Sequence, residues 1–157
     1  MEGEYPFFFM QTMDDVYFMK KALEEAYKAF DKGEIPIGAV VVCQNRIIAR
    51  SFNLTETLTD VTAHAEMQTV TAAANTLGGK YLNDCTLYVT VEPCVMCAGA
   101  LGWSHLGRLV YGACDEKRGY RRYAPKALHP KTTVLTGVLA DEAAELMQKF
   151  FKARRNK

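Results

Sequence analysis

Apolar positions along the chain recur with two periods, and the period changes where the secondary structure should change. Val16, Met19, Leu23, Ala26, Tyr27 and Phe30 are three or four residues apart, which predicts one face of a helix. Thr12-Met13-Asp14-Asp15 has the form of a capping box opening that helix, and Gly33 is a natural stop. Gly38–Cys43 and Arg46–Phe52 are β-rich runs separated by Gln44-Asn45, so they read as a hairpin. After a polar stretch, residues 63–77 carry Met67, Val70, Ala74 and Leu77 on one helical face, and Gly78-Gly79 ends it. Residues 86–91 are a short apolar strand, and Pro93 suits the first position of a helix running to Trp103. Residues 109–112 are a further strand, 115–130 a basic, aromatic loop, 132–136 a strand and 141–154 an amphipathic helix. This order predicts an α/β protein, one sheet covered by helices on both faces. No domain boundary is visible, so residues 1–157 are expected to form a single domain, with 1–13 as an N-terminal extension whose order the sequence leaves open.

Composition narrows the class. The 157 residues are 49% hydrophobic and 24% charged, as in ordinary globular domains and unlike disordered or collagenous chains. No apolar run reaches the ~18 residues of a membrane span, so no membrane partner is expected. Phe7-Phe8-Phe9-Met10 is too short for a signal sequence and follows Glu2 and Glu4 where positive charge is needed, so the expected location is cytoplasmic. Five cysteines, an odd number, favour metal or catalytic duty over cystine in a reducing compartment. The net charge is only +1, but residues 1–116 carry −7 and residues 117–157 carry +8. Such asymmetry fits either an anionic partner or a solvated basic surface.

Two short motifs carry chemistry. His64-Ala65-Glu66 stands where the second helix begins, and Pro93-Cys94-Val95-Met96-Cys97 where the third begins. Cysteines three apart on a helix share a side, lean toward the N-terminus and meet its positive end, which favours thiolates. Two thiolates and one imidazole supply three bonds to a tetrahedral zinc ion; structural sites fill the fourth position, whereas catalytic ones leave it for water. Glu66, outside that ligand set, is near enough to carry protons. A redox dithiol would leave His64 and Glu66 idle, and a structural site would need Cys43, Cys85, Cys114, His105 or His129 as a fourth ligand. The conjunction of His-x-Glu with Pro-Cys-x-x-Cys is the signature of zinc deaminases.

From about Asp15 to Arg155 the chain resembles the bacterial tRNA-specific adenosine deaminase (TadA) family of the cytidine-deaminase-like superfamily. Beyond the metal motifs, the likeness lies in Glu34-Ile35-Pro36-Ile37-Gly38-Ala39-Val40, Asn53, residues 87–93, Gly112-Ala113-Cys114-Asp115 and residues 137–142. It implies a three-layer α/β/α cytidine-deaminase-like fold with a central mixed five-stranded sheet, a homodimer, and one zinc ion per subunit on His64, Cys94 and Cys97. The implied activity is conversion of adenosine to inosine at the wobble position of the tRNA anticodon loop, with Glu66 as proton carrier. The resemblance also implies that Asn53 bonds the target nucleotide, Ile35 and Ile37 line the base pocket, and Asp115 meets a neighbouring sugar.

Two stretches depart from the family pattern. Lys117 to Tyr123 replaces a loop of small residues, and Gly102-Trp103 replaces an aliphatic helix end. The interleaved Arg118, Tyr120, Arg121, Arg122 and Tyr123 have the chemistry to hold phosphates and stack on unpaired bases. Two other functions remain open on sequence alone: a deaminase of a free nucleobase or nucleotide such as guanine, cytosine or dCMP, and a non-catalytic zinc-stabilised RNA-binding module.

Overall fold

The computed structural model describes residues 4–155, with side chains from Asp15 onward; residues 1–3 of the extension lie outside the described residues. The elements are α1 (Glu4–Asp31), β1 (Gly38–Cys43), β2 (Arg46–Phe52), α2 (Ala65–Leu77), β3 (Cys85–Val91), α3 (Val95–Trp103), β4 (Arg108–Ala113), α4 (Tyr120–Tyr123), β5 (Thr133–Thr136) and α5 (Ala140–Arg155). The sheet order is β2-β1-β3-β4-β5; β1 is antiparallel to both neighbours, and β3, β4 and β5 are parallel. Helices α1 and α5 cover one face, while α2 and α3 cover the other. This is the expected three-layer fold with a mixed five-stranded sheet.

The alternation of side chains along each strand explains both layers. Ala39, Val41, Leu87, Val89, Leu109 and Tyr111 enter the core under α2 and α3. Their neighbours Val40, Val42, Tyr88 and Val110 point the other way, against Phe18, Met19 and Ala22 of α1. At Gly38 a Cβ would strike the backbone of Ala22 and Ala26, so only glycine lets α1 cross the sheet that closely. Gln44 and Asn45 turn the β1–β2 hairpin with φ of 51° and 63°, the doubly positive geometry of a type I′ turn. Gly78 closes α2 at φ 72°, its N–H returning to Ala74 and Asn75 carbonyls.

Three boundaries differ from the sequence expectation. Helix α1 starts at Glu4, so the Thr12 box lies within it; Pro6 is tolerated in a first turn. Helices α2 and α3 each begin two residues late, with His64 and Cys94 as extended N-cap residues, so Pro93 precedes the helix it was expected to open. The supposed loop after Asp115 contains one helical turn, α4.

Asp15 ties α1 to the sheet. Arg108 donates to both its oxygens at 2.7 and 2.8 Å, and the Tyr88 hydroxyl donates to Oδ1 at 2.7 Å. Burial alone would raise the Asp15 pKa, but these bonds outweigh it and hold the carboxyl below its ordinary value. A depressed folded pKa contributes stability above the unfolded value of about 3.9, and loses it as pH falls through the folded pKa. Asp15→Asn is therefore expected to cost roughly 1–3 kcal/mol near neutrality. In urea denaturation that difference should shrink as pH drops below ~4; a pH-independent difference would count against the ionic link.

Candidate active site

The C-terminal end of β3 and the two helices that follow β2 and β3 converge on one spot. His64 caps α2 with φ −71° and ψ 156°, and Cys94 caps α3 with φ −74° and ψ 175°. Cap positions leave side chains at the mouth of each helix, where unpaired N–H groups favour anions. His64 Nδ1 lies 3.7 Å from Cys94 Sγ and 3.5 Å from Cys97 Sγ. Tetrahedral bonds of ~2.0–2.3 Å, the lengths of zinc–nitrogen and zinc–sulfur bonds, have edges of about 3.3–3.8 Å. The donors are therefore already spaced for one shared ion, with Nδ1 as the imidazole ligand atom.

Among the described residues, His64, Cys94 and Cys97 form the group able to hold a metal, their ligand atoms all within 4.8 Å of one another. The alternative fourth ligands stand elsewhere. Cys43 and Cys85 oppose each other across β1 and β3, and His105 packs against His129, the rings tilted by 44° with centroids 4.4 Å apart. Cys114 is exposed on the cavity wall, outside the cluster.

Electrostatics in the metal-free chain prepare the ligands. The Cys94 thiol is held down to about 4, chiefly by a hydrogen bond from Cys97 and with help from His64, against the opposing effect of burial. Cys97 is correspondingly pushed up, by Cys94 first and then by burial. His64 is raised by its bond to Cys94. Glu66, only 4% exposed, is raised to about 7 by burial, with the nearby Cys94 charge adding to the effect. A carboxyl that titrates near neutrality is suited to exchange protons at working pH.

His64, Glu66 and Cys94, with Cys97 buried behind them, open into a cavity of about 1180 Å³ that also meets Ile35, Ile37, Asn53, Asp115 and Arg118. Asn53 is buried, its amide donating to Glu34 Oε1 at 3.4 Å and Thr55 Oγ1 at 3.3 Å. Asp115 Oδ1 accepts from the backbone N–H groups of Lys117 and Arg118, at 3.1 and 2.9 Å. The aromatic-basic segment divides. Arg121, Arg122 and Tyr123 are exposed, Arg122 lies over the Tyr123 ring at 5.7 Å, and Arg121 donates to the Tyr111 hydroxyl at 3.1 Å. Tyr120 is a correction: its ring is 3% exposed and belongs to the core under α3, so it is closed to base stacking. Once the segment coils into α4, its apolar member turns inward.

Sequence reasoning missed two contributors. Helix α5 supplies one wall of the cavity through Met147, Phe151, Arg154 and Arg155; its amphipathic, basic C-terminal end was the available signal. Glu34 is fully buried and anchors the loop carrying Asn53, accepting from the N–H groups of Glu56 and Thr57 and from the Thr57 hydroxyl. Burial would raise this carboxyl, but those donors hold it below its ordinary value.

A three-layer α/β/α fold carrying a His-Cys-Cys cluster beside an unligated buried glutamate defines a hydrolytic deaminase of the cytidine-deaminase-like class. Residues 13–155 match the MafB19-like deaminase family. A tRNA-specific adenosine deaminase of Agrobacterium fabrum is 43% identical over 144 residues, 88% of this chain and 95% of its own length. The chain belongs to the tRNA-specific adenosine deaminase family. A structure from work on A-to-I editing by tRNA:A34 deaminases matches with TM-score 0.78 and 43% identity, covering 83% of this chain and 98% of that one. A guanine deaminase from Nitrosomonas europaea matches at TM-score 0.76 and 26% identity, covering 86% and 83%.

Proposed function

We propose that this chain, acting as a single deaminase domain, converts adenosine to inosine at the wobble position of a tRNA anticodon loop and releases ammonia. The observation that carries the reading is the His64-Cys94-Cys97 cluster opening, with Glu66, into a cavity edged by basic residues. His64 Nδ1, Cys94 Sγ and Cys97 Sγ would hold one zinc ion per subunit. Bound there, zinc supplies a Lewis acid that brings the pKa of a water toward ~7. Glu66 takes the proton of the attacking water and delivers it to the purine ring. The carboxylate then takes the second proton, from the hydroxyl now on the reacting carbon, and passes it to the departing amine as the carbonyl forms, so adenosine and water become inosine and ammonia with Glu66 restored. Ile35 and Ile37 exclude water from the base, and Asn53 and Asp115 orient the nucleotide.

The substrate class rests on charge and size. A cavity of about 1180 Å³ lined by Lys117, Arg118, Arg154 and Arg155 exceeds what a free base fills, and its cations suit phosphates. Arg121, Arg122 and Tyr123 extend that surface. A homodimer is part of the same reading: Trp103, 84% exposed, together with Val95 and Met96, leaves α3 with an apolar side that a second copy would cover. Guanine deamination is the competing reading, favoured by the 26%-identical neighbour.

Ammonia release from an anticodon stem-loop RNA, compared with free adenosine, guanine and cytosine, separates them. The stem-loop is expected to react and the free bases to stay inert; turnover of guanine with inert RNA would reverse the assignment. In the same assay, Arg121→Ala with Arg122→Ala should weaken RNA binding and flatten its salt dependence by roughly 0.7 in log–log slope per lost phosphate contact. An unchanged slope would make those arginines ordinary surface.

A further inference from the structure

Glu92 is 7% exposed, lines the cavity and directly precedes Pro93-Cys94, yet it has no part in the ligand cluster. Both its carboxyl oxygens are occupied by backbone from far along the chain. Oε1 accepts from the Asp115 N–H at 3.0 Å and Oε2 from the Arg121 N–H at 3.1 Å, 23 and 29 residues away. The segment between these two donors folds around the carboxyl. The Gly119 N–H returns to the Asp115 carbonyl at 2.9 Å, the Tyr120 N–H donates to the Pro93 carbonyl at 2.9 Å, and Cys94 and Gly119 form a β-bridge. A Cβ at Gly119 would fall on the Glu92 carboxyl and on the Asp115 carbonyl, so the approach admits only glycine.

We propose that Glu92 is a positioning residue: it holds the 115–121 segment against the start of α3 and so fixes Asp115 and Arg118 on the wall of the substrate cavity. The segment has few other anchors. Besides Tyr120, which packs into the core, and Arg121, which reaches the Tyr111 hydroxyl, its side chains are largely exposed, so the carboxyl, the Pro93 carbonyl and the one bridge supply the backbone contacts that hold it to the start of α3. One carboxyl two residues before Cys94 thus sets the distance between the metal ligands and the surface that grips the rest of the substrate. The role deepens the deaminase reading above, which its kinetic readout requires and its structural readout does not.

The test compares hydrogen exchange, metal content and stem-loop kinetics in the zinc-loaded full chain, wild type against Glu92→Gln. Glutamine keeps the shape but turns an NH2 against one of the two backbone donors. Peptides covering 115–121 are expected to exchange roughly 10- to 100-fold faster, with β3 and α3 unchanged and metal content at the wild-type level. KM for the stem-loop should rise by a similar factor, with kcat less affected. Wild-type exchange at 115–121 would overturn the proposal. So would loss of metal, or a fall in kcat with KM and exchange unchanged, since each moves the role to the chemistry. Should Glu92→Gln not fold, Gly119→Ala decides: it keeps the glutamate but sets a Cβ against its carboxyl and the Asp115 carbonyl, parting the segment from it, and should give the same signature. If RNA proves inert in the wild type, the tRNA reading fails while the exchange result still judges Glu92.

Discussion

Glu66→Ala is expected to lower turnover of an anticodon stem-loop by about 10²- to 10⁴-fold, the range general acid–base catalysis supplies, while metal content and fold stay at wild-type level. The separation follows from geometry. Glu66 stands in the first turn of α2, two residues past His64, and is buried on the cavity side without joining the ligand cluster. Its loss removes a proton carrier and no metal–ligand bond. The structural cost is small: burial disfavours the Glu66 charge in the folded chain, so its removal takes away no strongly stabilising ion. Activity is read as ammonia release and metal by elemental analysis. Substantial activity in the mutant would remove Glu66 from the chemistry, and loss of metal would make it a ligand.

The second large effect belongs to the ligands. Cys97→Ser should leave purified protein deficient in zinc and inactive, with affinity reduced by more than the ~10- to 100-fold typical of changes to groups that merely support a ligand. Cys97 is fully buried at α3 and is one of the three members of the cluster, so its loss leaves two ligands. Affinity should also fall with pH. In the metal-free chain Cys94 already ionises at about 4, but Cys97 is raised and holds its proton, and His64 is raised by Cys94. An arriving ion must displace those protons, so each drop in pH weakens it. Competition with a chelator across pH measures this, and pH-independent affinity would contradict the proton assignment.

Most of the scaffold was legible because it is written in local pattern. Ala39-Val40-Val41-Val42 alternates between two cores, Gln44-Asn45 turns where the runs break, and Gly78 ends α2. The metal cluster was legible because a helix start converts the spacing of Cys94 and Cys97 into proximity. What escaped depends on contacts distant in sequence. Glu34 and Glu92 stand in the sequence only as parts of the family likeness, and the folded chain reveals them as buried acceptors for loops about 20–30 residues away. Tyr120 looked like a stacking platform because its neighbours are basic, but the pull of the α3 core exceeds that of the surface. The start of α3 moved from Pro93 to Val95 because Cys94 takes the extended cap conformation that aims its sulfur at His64.

The central claim is that three side chains share one ion and leave it open on the cavity side. Zinc content combined with X-ray absorption at the zinc edge tests it most directly. The expected result is one zinc per chain, bound by two sulfurs and one imidazole with a light-atom ligand from solvent. A metal-free active protein, a third sulfur, or a second imidazole in the coordination sphere would contradict it.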